Sequence, residues 1–267
     1  MKLAVGMLML LLSFMLMPFN IQVERIPSTV MNKSFNATVI TPKTYGKTSK
    51  KYSVVYVLHG WLNDYDSMSY HTEIGRLSDE YDFIIVMPDG NLNKWYFDSR
   101  INSEFRFGTY VGREVPEYID KKYRTIKKRS ARAVTGYSMG GFGAFNAVFN
   151  YPETFGNVGS MSGAVEISGF ENKWNLRKVF GNYEENKDLW ESAAVKNNLN
   201  KFGNKKFNIV ISCGDEDFFI DINRELHEKM LEAGIKHTYI ERPGRHDWDY
   251  WREEIKFQLL FFSNYLK

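Results

Sequence analysis

The sequence predicts an α/β fold: a mostly parallel central sheet, helices on both faces, and a small helical cap inserted late in the chain. Three observations predict it. Apolar, β-rich runs alternate with segments of helical periodicity from residue 35 to the C-terminus, the order a parallel sheet needs. The runs Val54-Val-Tyr-Val-Leu58, Phe83-Ile-Ile-Val-Met87 and Ile209-Val-Ile-Ser-Cys213 are apolar on both parities, as central strands covered on both faces must be. The stretch 162–203 has helical pieces, no strand, and the large aromatics Phe170, Trp174, Phe180, Tyr183 and Trp190. An insertion of that kind folds over the carboxyl ends of the strands. A chain of 267 residues, 43% of them apolar, can bury one full core, so one domain with a small cap is expected.

Taken in order, the chain opens with Lys2 and an uncharged, mostly apolar run to Phe19; the next charge is Glu24. One basic residue ahead of such a run is the layout of an export signal. The run also approaches the roughly 20 residues that span a bilayer, and no small-residue cleavage site follows it. Residues 1–20 are therefore expected to be a signal peptide or an N-terminal anchor, and 21–267 the folded domain. Strands are expected at 35–40, 52–58, 83–87, 131–136, 157–161, 207–213 and 237–242. Helices are expected at 67–80, 109–123, 139–150, 188–199, 221–233 and 248–265. Gly234 reads as a helix-terminating C′ glycine and Asp221 as the N-cap of the same helix. The basic stretch 45–51 reads as a solvated hairpin tip.

Composition narrows the chemistry. Lys and Arg total 35 against 32 Asp and Glu, a net charge of +3, so no basic field points to nucleic acid. A single cysteine, Cys213, cannot close an internal bridge, and at the end of an apolar strand it reads as a packing thiol. No metal-ligand spacing and no dinucleotide fingerprint occurs, so no cofactor is expected.

The sharpest motif is Gly136-Tyr-Ser-Met-Gly140, extended by Gly141 and Gly143, between an apolar strand and a helical run. That is the context of a nucleophile elbow: the glycines let the chain turn sharply enough to expose Ser138. A serine hydroxyl attacks at neutral pH only if a base takes its proton, and a carboxylate must hold that base. Downstream lie His227, inside a helical pattern, His237, at a strand start, and His246, in the loop after the last strand. Only His246 sits where a base can reach the elbow. Asp215, Glu216 and Asp217 crowd together after strand 207–213, and spacing does not choose among them. The oxyanion of an acyl transfer needs two backbone N–H donors. One falls on Met139, after the serine, and the other on the loop Leu58-His-Gly-Trp61, in which His59 reads as a structural support.

Together, Val57-Leu-His-Gly-Trp61, Val86-Met-Pro-Asp-Gly90, Gly136-Tyr-Ser-Met-Gly-Gly-Phe-Gly-Ala144, Gly214-Asp-Glu-Asp-Phe218 and Gly244-Arg-His-Asp-Trp248 resemble, in that order, the esterase D family of α/β-hydrolases. Tributyrin and acetyl esterases, feruloyl esterases, S-formylglutathione hydrolases and mycolyltransferases belong to it. The resemblance covers about residues 30 to 266. By position it puts the nucleophile on Ser138, the base on His246, the acid on Asp217 and the second oxyanion amide on Trp61. Many relatives carry an aliphatic residue at that last position, so the Trp61 indole is expected to narrow the acyl pocket. The leader argues against the cytosolic glutathione thioester hydrolases.

The expected activity is an exported serine carboxylesterase acting on acetyl or feruloyl esters, small or polysaccharide-borne. The alternative is an acyltransferase of mycolyltransferase type that passes the acyl group to a sugar hydroxyl. Trp61, Trp95, Tyr96, Trp248 and Trp251 gather in loops at one end of the strands; Trp95 and Trp248 are taken as the substrate-binding candidates. Any membrane contact is expected through the N-terminal segment alone, and no oligomeric state is implied.

Overall fold

Side chains alternate across a strand, and here that alternation divides the core in two. The computed structural model describes residues 19–203 and 205–266. Eight strands form one sheet: β1 (Phe19–Ser28), β2 (Lys33–Pro42), β3 (Val54–Leu58), β4 (Ile84–Pro88), β5 (Arg132–Gly136), β6 (Asn157–Met161), β7 (Asn208–Gly214) and β8 (Thr238–Arg242). Their spatial order is β1-β2-β4-β3-β5-β6-β7-β8. The pairings β1–β2 and β2–β4 are antiparallel and the other five parallel.

Val54, Tyr56, Leu58, Val134 and Ile211 face one core; Val55, Val57, Ala133 and Val210 face the other. The first is covered by α3 (Val115–Lys122), α4 (Met139–Asn150) and α7 (Ile220–Glu232), the second by α2 (Ile74–Tyr81) and α8 (Trp248–Ser263). Ile255, Leu259 and Phe262 make the buried stripe of α8 and are fully shielded, each worth roughly 1.5–3 kcal/mol. Beneath them Arg242 bonds the fully buried Glu254 and the Tyr250 carbonyl, tying β8 to the start of α8.

Several expectations change. β1 was not foreseen; it begins at Phe19, inside the segment assigned to the leader, while residues 1–18 of that assignment lie outside the described residues. Among the described residues no helix is long and apolar enough to cross a membrane. The segment 45–51 is no hairpin tip, because β2 and β3 are not neighbours. It is a crossover whose carbonyls at Tyr45, Thr48 and Lys50 are held by Arg124.

The helix expected at 67–80 is split into α1 (Ser67–His71) and α2, because the Thr72 hydroxyl bonds the Met68 carbonyl and accepts from the Ile74 amide. The helix leading into α3 carries a π turn at Tyr110–Glu114. Asp221 is not a cap. The cap of α7 is Phe219, and Asp221 lies exposed in the first turn. The 162–203 insertion folds as α5 (Leu176–Phe180), α6 (Lys187–Ala193) and a 3-10 segment (Val195–Phe202), packed on the loop before α3. The Ser99 hydroxyl donates to the Val179 carbonyl and the Trp95 indole to that of Trp174.

Candidate active site

Ser138 sits where β5 passes into α4, with φ 56° and ψ −120°. A left-handed φ in a residue that has a Cβ costs on the order of 1–3 kcal/mol and persists only where neighbours enforce it. Here the Ser138 N–H donates to the Met161 carbonyl, and the Ala164 N–H donates to the Ser138 carbonyl. The turn also needs bare backbone beside it: a Cβ at Gly140 would collide with the Leu58 carbonyl at the end of β3.

His246 comes from the loop after β8 and Asp217 from the loop after β7. His246 Nε2 lies 2.8 Å from Ser138 Oγ, while Nδ1 lies 3.0 and 2.9 Å from the two Asp217 oxygens. A carboxylate only accepts, so Nδ1 carries the imidazole proton and Nε2 offers a lone pair to the serine hydroxyl. The Asp217 side chain is fully buried, and its Oδ1 also accepts from the Phe219 N–H at 2.8 Å. Burial in this way keeps the carboxylate from being solvated away from the ring. The imidazole is itself walled by Phe218, Phe219 and Trp251, with ring centroids at 4.2, 5.2 and 5.0 Å.

The structure separates the three carboxylates that spacing leaves equivalent. Asp215 Oδ1 accepts from the Gly244 N–H at 3.2 Å, and exposed Glu216 pairs with Arg245 at 2.8 Å. Both lace the β7 loop to the β8 loop, as does the Glu216 N–H to the Gly244 carbonyl. Only Asp217 turns inward. Asn223, fully buried on α7, donates to the carbonyls of Phe219 and Gly163, joining the acid loop to the segment that carries Ala164.

Ser138 and His246 open into a cavity of about 130 Å³, whose wall includes Trp61, Met139, Trp95, Trp174 and Asn63. The two residues expected to supply oxyanion amides, Trp61 and Met139, thus flank the serine at this cavity. His59 supports the loop from behind: it is buried, its Nε2 accepts from the Gly90 N–H at 2.8 Å, and its Nδ1 donates to the Gly60 carbonyl at 2.8 Å. Because Nε2 accepts there, the 3.6 Å approach to Asp89 is not an ion pair.

Of the two substrate-binding candidates, Trp95 lines the cavity and Trp248 does not. The Trp248 ring stacks on His71 at 4.1 Å and packs on Tyr137, over the other core; at the cavity its place is taken by Trp251, one helical turn on. Phe219 and Asn63 are wall residues that sequence reasoning missed. Phe219 could have been found from its position directly after the acid loop, whereas no spacing marks Asn63. His227 and His237 lie apart from the site, bonded to one another at 2.7 Å. Cys213 is buried, and burial, followed by the charge of nearby Asp217, pushes its thiol far up from its ordinary value.

Comparison with known proteins places the chain among esterases. A family model described as "Putative esterase" matches residues 28–262. The chain is 28% identical over 244 residues to an acetyl esterase of Caldicellulosiruptor saccharolyticus, covering 82% of this chain and 90% of that protein. It is 29% identical over 247 residues to an endo-1,4-beta-xylanase/feruloyl esterase of Xylanibacter ruminicola, 87% of this chain but 30% of that longer protein. Among solved structures, a ferulic acid esterase superposes with a TM-score of 0.77 at 27% identity, covering 92% of this chain and 97% of the other.

Proposed function

The chain belongs to the putative esterase family and has an α/β-hydrolase fold, and from that premise we propose that it is an exported serine carboxylesterase that cleaves short-chain acyl esters, acetyl esters foremost. The observation that carries the reading is the continuous hydrogen-bonded path Asp217–His246–Ser138 ending in the cavity. In the proposed reaction His246 Nε2 takes the Ser138 proton as Oγ bonds to the ester carbonyl carbon. The Trp61 and Met139 amides receive the charge that develops on the carbonyl oxygen. Asp217 holds the imidazole in the productive tautomer and stabilises the imidazolium. Collapse of the adduct breaks the bond to the alcohol, which leaves with the proton from His246. Water, deprotonated by the same nitrogen, then releases the acid from Ser138.

A short acyl group is favoured by the size of the cavity. At about 130 Å³ it falls below the roughly 300–1,000 Å³ of clefts that enclose a drug-sized ligand. The Trp61, Trp95 and Trp174 side chains account for that narrowness. The relatives named above support acetyl and feruloyl esters as the two substrates to compare. Export rests on the apolar run between Lys2 and Phe19.

The test is hydrolysis of p-nitrophenyl acetate, butyrate and octanoate, methyl ferulate and acetylated xylan by the purified protein beside Ser138→Ala. The acetyl esters should be turned over fastest, and kcat should fall on the order of 10⁶-fold in the variant. Retained activity in Ser138→Ala would overturn the serine mechanism, and faster turnover of methyl ferulate would overturn the acyl assignment.

A further inference from the structure

Three tryptophans of the cavity wall keep their indole N–H out of the open space. The Trp95 indole N–H is taken by the Trp174 carbonyl at 2.9 Å, and those of Trp61 and Trp251 are buried without a partner. Beside Ser138 and His246, the wall carries the carboxamide of Asn63. Its Oδ1 accepts from the Tyr137 hydroxyl at 2.8 Å. Tyr137 is fully buried, and burial pushes its phenol far up, so the hydroxyl keeps its proton there. Its ring is clamped by Trp248 and Trp251, with centroids at 4.9 and 4.7 Å. With the carboxamide oxygen turned to Tyr137, both Nδ2 donors face away from it. Among the described residues, none accepts from Nδ2.

We propose that Asn63 is a specificity-determining residue whose Nδ2 donates to an oxygen on the alcohol half of the ester, held in place by Tyr137 as a positioning residue. The inference rests on the esterase reading and extends it. A short acyl group carries one heteroatom, the carbonyl oxygen, and the Trp61 and Met139 amides already serve it. An extra donor in the wall therefore has its acceptor on the alcohol. The substrate class that supplies one is an ester of a polyol, with a hydroxyl or ether oxygen close to the scissile bond. The exposed aromatic ring of Phe218 at the same cavity suits the apolar face of such an alcohol.

Glycerol monoacetate and propyl acetate share a chain length and an acyl group and differ in two hydroxyls, so their kcat/KM ratio isolates this donor. In the wild type the ratio should favour the monoacetate. Asn63→Ala should lower the ratio about five- to tenfold, the worth of one net hydrogen bond, chiefly through KM. Tyr137→Phe, which leaves Asn63 present but unheld, should lower it by a smaller factor. A ratio unchanged within twofold in Asn63→Ala overturns the assignment, including the case in which both esters slow together. Binding of glycerol monoacetate to Ser138→Ala, followed by ligand-observed NMR with and without Asn63→Ala, keeps the two readings apart. If binding weakens with Asn63→Ala although the wild type cleaves neither ester, the donor stands and the esterase reading falls. If binding does not weaken, the donor falls whatever the turnover.

Discussion

Asp217 differs from Asp215 and Glu216 not in chemistry but in where the backbone sends it. Its neighbours spend their carboxylates on the Gly244 amide and on Arg245, at the surface, and it alone reaches the imidazole. Asp217→Asn keeps the volume and replaces one oxygen by a donor, which favours the wrong histidine tautomer. It should lower kcat on p-nitrophenyl acetate by about 10³–10⁴-fold with KM little changed. Asp215→Asn and Glu216→Gln, measured alongside, should stay within a few-fold of the wild type. The sequence made Ser138 and His246 legible because glycine spacing and chain order are local signals. The acid could be reached only through family resemblance, since three adjacent carboxylates look alike until the turn is folded. Trp248 was misplaced for a related reason. Helical phase decides which tryptophan faces the cavity, and a loop-to-helix junction hides the phase until the Asp247 cap is seen.

Elements were legible where both faces of the sheet are covered. β6 and α4 run between the residues expected from pattern alone, because apolar runs bounded by glycine, proline and polar residues admit one reading there. The edge strand β1 was not, since alternation at 19–28 begins before the apolar run has ended. Two buried carboxylates fix that edge: Glu24 of β1 accepts from Tyr118, Lys122 and Tyr123, and Glu114 reaches it from the helical layer. Glu114, in the π turn, accepts from the Ser28 and Thr29 hydroxyls and from the Thr29 and Val30 amides, pinning the β1–β2 hairpin to the helical layer. Burial alone would raise its pKa, but these hydrogen bonds outweigh burial and hold it below its ordinary value of 4.5. A carboxyl group depressed in the folded state contributes stability that is present above pH 4.5 and lost as the pH falls through the folded value. Glu114→Gln should therefore melt several degrees below the wild type at pH 7, each kcal/mol being worth about 2–4 °C in a chain of this size. The two melting curves should converge below pH 4.5, and a gap independent of pH would show that the carboxylate charge is not what matters.

At the scale of the whole molecule, the site is assembled from the carboxyl ends of β3, β5, β7 and β8, so its geometry depends on the sheet holding its register from edge to edge. The N-terminal edge contributes more to that than its position beside an apolar run suggests. Phe19 pairs with Pro42 and Asn20 with Thr41, and the Phe19 ring lies so close to Gly75 of α2 that a Cβ there would collide with it. Phe19 thus packs on the core beneath α2 and α8, the face that carries Tyr137 and Trp251 under the cavity. A chain starting at Phe19 keeps this contact, and one starting at Ile21 forfeits two strand pairings and the buried part of an aromatic ring. The shorter chain should be less stable by about 1–3 kcal/mol, the range for losing burial of one large side chain. Urea denaturation of the two chains measures it directly. Equal midpoints would mean that the domain begins after residue 20, as the charge pattern alone suggests. A lower midpoint for the chain starting at Ile21 would mean that the fold reaches back into the apolar run, leaving less of it free to serve as a leader or an anchor.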